Sequence, residues 1–152
     1  MKIDARNAAL VILIATFLTS ASGCRSYNAR WEQAAAAPAD GIAGRWSGTW
    51  SSHTSSHGGG LRCIVTRVDD DAYRAHFHAT FKLLFIPCGF QQAVDLVVSE
   101  VEDGWSRFEG GADLGWPWGA FSHEGRANAE RFESAYTSKF DRGVFEMEKE
   151  KN

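Results

Sequence analysis

The sequence predicts an all-β domain at residues 41–152, an eight-stranded antiparallel up-and-down barrel. Apolar residues in this region recur with a period of two, which is typical of strands, and not with the 3.6 period of helices. Turn signals return about every 10 to 15 residues, the spacing of consecutive antiparallel strands. Such a meander can bury its apolar face by curling until its first and last strands pair, which also removes its exposed edges.

Eight segments carry the strand pattern, and turn signals separate them. They are residues 44–51, 61–68, 73–86, 90–101, 105–110, 118–125, 131–140 and 144–149. The third is the clearest, because the apolar residues from Tyr73 to Phe81 alternate strictly with polar ones. The turn signals are a Ser/Gly-rich loop at 52–59, an aspartate run at 69–71 and a Pro-Cys-Gly turn at 87–89. They continue with an Asp-Gly hairpin signal at 103–104 and an Asp-Arg-Gly turn at 141–143. Gly110-Gly111 predicts a bulge or bend where the wall turns a corner.

The segment from Phe81 to Phe90 is unusual because six of its ten residues are large and apolar, without strict alternation. One interpretation buries it where the third strand bends. The other makes it an exposed apolar lip that contacts lipid, a ligand or a partner. Replacing Leu84 and Phe85 by Ser would cost several kcal/mol in the first case and little in the second.

The N-terminal residues resemble the signal and lipobox of bacterial lipoproteins. Lys2 and Arg6 precede an apolar run at residues 8–21, and small residues lead to Cys24. The run of about 14 residues is about 21 Å long as a helix, too short to cross a hydrocarbon core of about 30 Å. The resemblance implies cleavage after residues 1–23, lipid attachment at Cys24 and a place in the cell envelope, at the outer membrane if the organism is diderm. An ordinary secretory signal, with Cys24 incidental, is the alternative.

Residues 24–40 are predicted to be the lipidated cysteine and a linker. Their alanine run ends at Pro38 and offers no apolar face of useful size, and an isolated helix this short is marginal in water. We therefore expect a tether that lifts the barrel at residues 41–152 off a membrane surface.

Gly44-Arg45-Trp46, followed by a meander of this length, resembles the start of the calycin-like barrels, which include lipocalins, fatty-acid-binding proteins and avidins. A tryptophan at this place plugs one end of a barrel, and the glycine permits close approach of the chain. The resemblance implies the fold of residues 41–152 and no binding residues. The long lipocalin loop, the terminal helix and the biotin-site pattern are absent.

The inward positions are rich in large side chains, which favours a filled interior. They are Trp46, Trp50, Phe77, Phe81, Phe132, Tyr136, Phe145 and Met147. The alternative is a small apolar pocket at the open end, with Tyr136, Ser134 and Trp50 offering polar contacts. The candidate pocket residues are Trp46, Trp50, Phe77, Phe81, Ser134 and Tyr136.

Histidines give only a weak indication of a metal. His76 and His78 share one strand face and, with His123, could offer three nitrogens to zinc. The opposite face of that strand is apolar, so we expect the pair to point to solvent and predict neither a metal nor another cofactor. His53 and His57 lie in a flexible loop.

Cys63 and Cys88 form an even pair in an oxidising compartment, which allows a disulfide. The hairpin register places Cys63 opposite Phe77, and Cys88 lies about 36 Å further along an extended strand. Only a bend after Phe81 would bring the two cysteines within bonding distance.

Several function classes are excluded or disfavoured. A hydrophobic fraction of 44% and a charged fraction of 23% exclude a disordered acidic tail and a polytopic membrane protein. A net charge of -3 with no basic stripe argues against nucleic acid. Serines near His53 and His57 lack a nucleophile elbow. The sequence predicts a lipid-anchored, extracytoplasmic, non-catalytic binding or envelope-associated structural module. The alternatives are a carrier of a small apolar ligand in the barrel mouth and, less favoured, a zinc-dependent enzyme.

Overall fold

The computed structural model describes residues 25–117 and 119–151, without the side chains of residues 83 and 100. Within these residues the chain forms a closed barrel in which each strand pairs with the next in antiparallel order and the last pairs with the first, as predicted. The strands are β1 (Gly44–Ser52), β2 (Gly58–Arg67), β3 (Ala72–Leu83), β4 (Ile86–Glu102), β5 (Trp105–Asp113), β6 (Ala120–Ala127), β7 (Arg131–Ser138) and β8 (Arg142–Lys149). One helix, α1 at residues 25–35, precedes them. The predicted signal and Cys24 lie outside the described residues, as does Trp118, the predicted start of the sixth strand.

Apolar and polar side chains alternate along the strands, so the interior of the barrel is mainly apolar. The predicted inward residues Trp46, Phe77 and Phe132 are buried in one continuous core, while Trp50 packs against that core and is partly exposed. On β3 the buried positions Tyr73 and Ala75 continue the same face. The period of two in the sequence therefore corresponds to the inside and outside of a closed wall. Among the described residues, no helix combines the length and the apolar character needed to span a bilayer.

One end of the barrel is plugged by Trp46, and we call it the closed end. Its ring has no exposed surface and packs against Phe132 at 5.6 Å between ring centres. The indole Nε1 donates to the Ile42 carbonyl at 3.0 Å, which fixes the chain entering β1. The ammonium of Lys149, at the end of β8, lies 5.2 Å from the ring centre and donates to the Gly41 carbonyl at 2.9 Å. The predicted plug is confirmed.

The predicted bulge at Gly110-Gly111 is wrong, and the glycines have a different purpose. Both residues hold regular register with β4, where Gly110 faces Leu96, and the irregularity lies in β4 itself, between Val98 and Glu100. A Cβ on Gly110 would stand 2.1 Å from the carbonyl oxygen of Asp95. Glycine is therefore needed at position 110 because the neighbouring strand β4 approaches closely.

The third strand does not bend. β3 and β4 pair continuously as far as Leu83 opposite Ile86, and the chain reverses at Leu84 and Phe85, with Leu84 at a φ of 57°. These two side chains are 85% and 96% exposed. The interpretation that buried this segment is wrong, and the alternative of an exposed lip describes the structure. Nor does the strand stop at Pro87, which stands in the ladder opposite Lys82.

The predicted tether is wrong for residues 25–35, because α1 packs on the outer wall of the barrel. Tyr27 and Trp31, four residues apart and so on one helix face, are buried against Ile64 of β2. The Arg62 guanidinium lies 5.2 Å from the centres of both rings. The prediction of a tether rests on the alanine run and does not use this aromatic pair, so it misses the packing of α1 on the barrel.

Replacing Trp46 by Ala is expected to lower the free energy of unfolding by about 3–5 kcal/mol, because it leaves a cavity at the closed end and removes a buried hydrogen bond. Urea unfolding of the full chain, followed by circular dichroism, measures the loss. Trp116→Ala is the matched control, since Trp116 is 95% exposed and should change stability by about 0.5 kcal/mol or less. Equal losses in the two variants would contradict the plug.

Candidate functional site

A cavity of about 260 Å³ lies at the end of the barrel opposite Trp46, which we call the open end. Its walls are almost entirely apolar and mostly aromatic. The apolar lining comprises Trp50, Phe77, Ala79, Phe81, Phe90, Phe121, Phe140 and Phe145. Polar atoms come from Gln92, Tyr136, Ser138 and Asp141. The interior is thus filled near the closed end and hollow near the open end.

Four of the six candidate pocket residues are brought together around this cavity: Trp50, Phe77, Phe81 and Tyr136. The other two, Trp46 and Ser134, are not among the residues that line it. Trp46 plugs the opposite end, and the buried Ser134 hydroxyl donates to the Glu124 carbonyl at 3.3 Å. The size of the side chains and their alternation along the strands correctly predicted which residues point inward. The level of each residue along the barrel axis could be assigned only from the strand register.

Trp50 is fixed as part of the cavity wall. Its indole Nε1 donates to the Thr80 carbonyl at 3.2 Å, and its ring meets the Phe81 ring edge-on at 6.3 Å between centres. The hydrogen bond uses the one polar atom of the indole. The face that Trp50 presents to the cavity is therefore apolar, and it does not supply the polar contact expected from the sequence.

The cavity has a polar group among its aromatic walls, which sequence reasoning missed. Gln92 of β4 is 7% exposed and lines the cavity, and its amide nitrogen lies 3.2 Å from Nε2 of His123, which is 2% exposed. The His123 ring stacks on Phe77, with centres 5.3 Å apart and planes 10° apart. Alternation could have found Gln92, because it shares a strand face with the apolar Val94 and Leu96.

The Gln92–His123 pair is incompletely hydrogen bonded. Within the described residues, Gln92 Oε1 and His123 Nδ1 have no hydrogen-bond partner. Turning the amide over would exchange its two polar atoms without satisfying both, because His123 offers it one nitrogen. A buried polar atom without a partner costs about 1–3 kcal/mol. The pair therefore leaves two buried polar atoms unsatisfied, and one of the two residues, Gln92, lines the apolar cavity.

Burial determines the charge of His123. Removal of the ring from water lowers the pKa of His123 to about 4. The imidazole is consequently neutral at physiological pH, with one nitrogen protonated and one bare. The interior of the barrel thus offers hydrogen bonds from this pair but no positive charge.

Tyr136 and Asp141 at the cavity wall are hydrogen bonded to each other. The phenol donates to Asp141 Oδ2 at 2.7 Å, and Ser52 Oγ donates to Oδ1 at 2.6 Å. Burial and the Asp141 bond raise the pKa of Tyr136. Burial alone would raise the pKa of Asp141, but its hydrogen bonds from Ser52, Tyr136 and the Arg142 amide outweigh that effect and lower it. This arrangement fixes the β7–β8 turn to the end of β1.

The three zinc candidates lie on two sides of the wall. His123 points inward, whereas His76 and His78 are on the outer face of β3 beneath α1. The expectation that the pair points to solvent is wrong for His78, which is buried against Tyr27 at 4.7 Å between ring centres. Burial and neighbouring arginines lower the pKa of both outer histidines. Across residues 25–117 and 119–151, no group of three or more His, Cys, Asp or Glu side chains could hold a metal.

Cys63 and Cys88 are free thiols, so the possible disulfide is not formed. Cys63 is buried opposite Phe77, and Cys88 stands opposite Phe81, four residues further along β3. At about 3.3 Å per residue the two levels differ by about 13 Å, beyond the reach of a disulfide. The bend that would have joined the cysteines is absent. Burial raises the pKa of the Cys63 thiol.

Stability should fall as the pH is lowered from the ordinary histidine value of 6.5 to about 4, because over that range the unfolded chain binds a proton that the buried His123 does not. At about 1.4 kcal/mol for each tenfold change in proton affinity, the contribution of His123 is about 3 kcal/mol. Urea unfolding of the full chain and of His123→Phe at several pH values isolates it, since other groups cancel in the difference. Parallel pH profiles would contradict a neutral, buried His123.

Comparison with known proteins adds no relative. No protein-family model matches the chain, and neither the curated proteins nor the solved structures give a match.

Proposed function

We propose that this barrel is a non-catalytic binding module that holds a small, neutral and mainly apolar molecule in its open-end cavity. The observation that carries the proposal is the combination of aromatic walls with a buried amide, that of Gln92, whose Oε1 has no partner among the described residues. Ligand sites in proteins commonly join an apolar pocket to a few placed polar groups.

The cavity volume sets the size of the ligand. An apolar cavity of about 150 Å³ holds benzene. The 260 Å³ cavity therefore has room for one substituted aromatic ring or a short branched chain, but not for a long acyl chain folded inside the barrel.

The polar groups indicate a neutral ligand with one hydrogen-bonding group. His123 is uncharged because burial lowers its pKa to about 4, and the carboxylate of Asp141 lies at the cavity wall. An anion would have no cation to meet inside and would be repelled by Asp141. A hydroxyl group could instead donate to Gln92 Oε1, which would recover the cost of that unpaired atom.

The side chains around the cavity favour binding over catalysis. Asp141 already accepts from Ser52 and Tyr136, and the His123 ring is wedged among Phe77, Phe145 and Tyr136. The Asp141 carboxylate accepts from Ser52, which does not line the cavity, and Ser138, which does, is hydrogen bonded to Asp141 only through main-chain atoms of Asp141. Among the described residues, His123 has no serine or cysteine as a hydrogen-bond partner. This arrangement supports a carrier or sensor of an apolar molecule.

The test uses p-cresol and p-xylene, which have nearly the same shape but differ by one hydroxyl. Calorimetric titration of the full chain should give a Kd on the order of 0.1 mM for p-cresol. Ala79→Phe, which fills the cavity, should abolish binding, whereas the matched control Ala135→Phe, on the exposed outer face of β7, should not.

A second variant examines the hydrogen bond. Gln92→Leu should weaken p-cresol binding by roughly tenfold and leave p-xylene binding unchanged or tighter, because only the phenol uses the amide. Unchanged p-cresol binding in Ala79→Phe, or equal effects on both probes in Gln92→Leu, would contradict the proposal.

We also propose that the barrel works outside the cytoplasm, held at a membrane by lipid on Cys24. The small residues before Cys24 and the positive charges before the apolar run support this. In bacteria supplied with labelled palmitate, the full chain should incorporate label, Cys24→Ser should lose it, and the matched control Cys88→Ser should keep it. Label retained in Cys24→Ser would contradict attachment at this residue.

A further inference from the structure

We propose that the open end of the barrel docks on an anionic lipid surface, with apolar side chains at the tips of its turns inserted among the headgroups. This inference concerns the outside of the barrel and does not require that the cavity bind a ligand. It rests on the distribution of exposed apolar residues and on the distribution of charge.

Exposed apolar residues are concentrated around the open end, in a set we call the apolar rim. It consists of Leu84, Phe85, Ile86, Trp116 and Phe140. These residues occupy the β3–β4, β5–β6 and β7–β8 turns, which the strand order places at the same end of the barrel. Phe85 and Trp116 are almost fully exposed, at 96% and 95%. Large exposed apolar patches in soluble domains mark sites of interaction.

The closed end exposes valines and carboxylates and no aromatic residue of the described chain. The remaining large hydrophobic residues that are exposed in the described chain are three valines: Val68, Val97 and Val101. Carboxylates accompany them in the turns of the closed end, in the run at residues 69–71 and at Glu102 and Asp103. All the exposed aromatic residues of the described chain therefore lie at the open end, where aromatic rings suit the lipid–water interface.

The charged residues are also distributed unequally between the turns of the two ends, with basic side chains at the open end and carboxylates at the closed end. Lys82, Lys139 and Arg142 flank the apolar rim, and the Lys139 ammonium lies 5.3 Å from the centre of the Phe140 ring. Of the acids at this end, Asp113 is exposed, while Asp141 is bonded to Tyr136 and Ser52. Long basic side chains beside inserted rings can reach anionic headgroups. The acidic closed end would be repelled by the same surface, so the charge distribution orients the barrel.

A lipid surface fits these features better than a protein. The rim side chains stand on separate turn tips around an open cavity, whereas a stable protein interface needs a continuous patch of about 800 Å² on each partner. Separate tips can each enter a fluid headgroup region, which supplies apolar depth and negative charge together.

Photocrosslinking tests the docking. The full chain carries p-benzoylphenylalanine in place of Phe85 or, as the matched control at the closed end, of Val101, and is reconstituted with vesicles of phosphatidylglycerol and phosphatidylcholine. We expect lipid adducts at position 85, detected by mass spectrometry, and roughly tenfold fewer at position 101. Vesicles of phosphatidylcholine alone, or high salt, should lower the yield at position 85.

Substitution of the other rim residues completes the test. Trp116→Ser with Phe140→Ser should reduce lipid adducts from position 85 severalfold, while Val68→Ser with Val97→Ser should not. Equal lipid adducts at positions 85 and 101 would overturn the proposal, because attachment through the N-terminal region alone would suffice. Adducts between two copies of the chain at position 85 would also overturn it, in favour of a dimer interface. Neither result depends on p-cresol binding, which is measured without vesicles.

Discussion

Closure of β1 on β8 around Trp46 is the constraint from which the rest of the molecule follows. The ring has no exposed surface, and it contacts the Ile42 carbonyl before β1, Phe132 of β7 and Lys149 of β8. Because a large side chain fills this end, apolar volume not occupied by protein can open only at the other. The same packing that stabilises the barrel therefore gives it two unlike ends, one filled and one hollow.

Strict alternation made the barrel predictable from the sequence, because a closed wall imposes the same inside–outside period on every strand. The features that escaped prediction lack that signal. The β3–β4 turn has no glycine or asparagine at its tip, and Leu84 instead adopts a positive φ, so the segment resembled a buried run. The packing of α1 depends on two aromatic residues, Tyr27 and Trp31, whose partners on the outer wall are distant in sequence. Four of the six predicted pocket residues line the cavity, because alternation predicts which face of the sheet a residue is on but not its level along the barrel.

Gln92 and His123 are polar residues inside an otherwise apolar core, where they are energetically unfavourable. Gln92 and His123 occupy positions where the alternation elsewhere places apolar side chains, and their unpaired atoms lower the stability of the empty barrel. A filled, purely structural barrel would be more stable with Leu and Phe at these positions. Such a conflict between local chemistry and global packing is expected where a site serves binding. The pair thus weakens the interpretation of the barrel as a structural module only.

An apolar molecule that fits the cavity would also dissolve in a bilayer, so affinity for the barrel must be judged against the lipid and not only against water. Transfer from water would favour the aromatic walls and the hydrocarbon core alike. Under the proposed function, a hydrogen bond to Gln92 Oε1 is what hydrocarbon could not offer, and it would give the barrel an advantage for a phenol-like ligand over a pure hydrocarbon. With the apolar rim against the membrane, such a ligand would pass between lipid and cavity without crossing water. Selectivity would then come from the polar pair, and access from the rim.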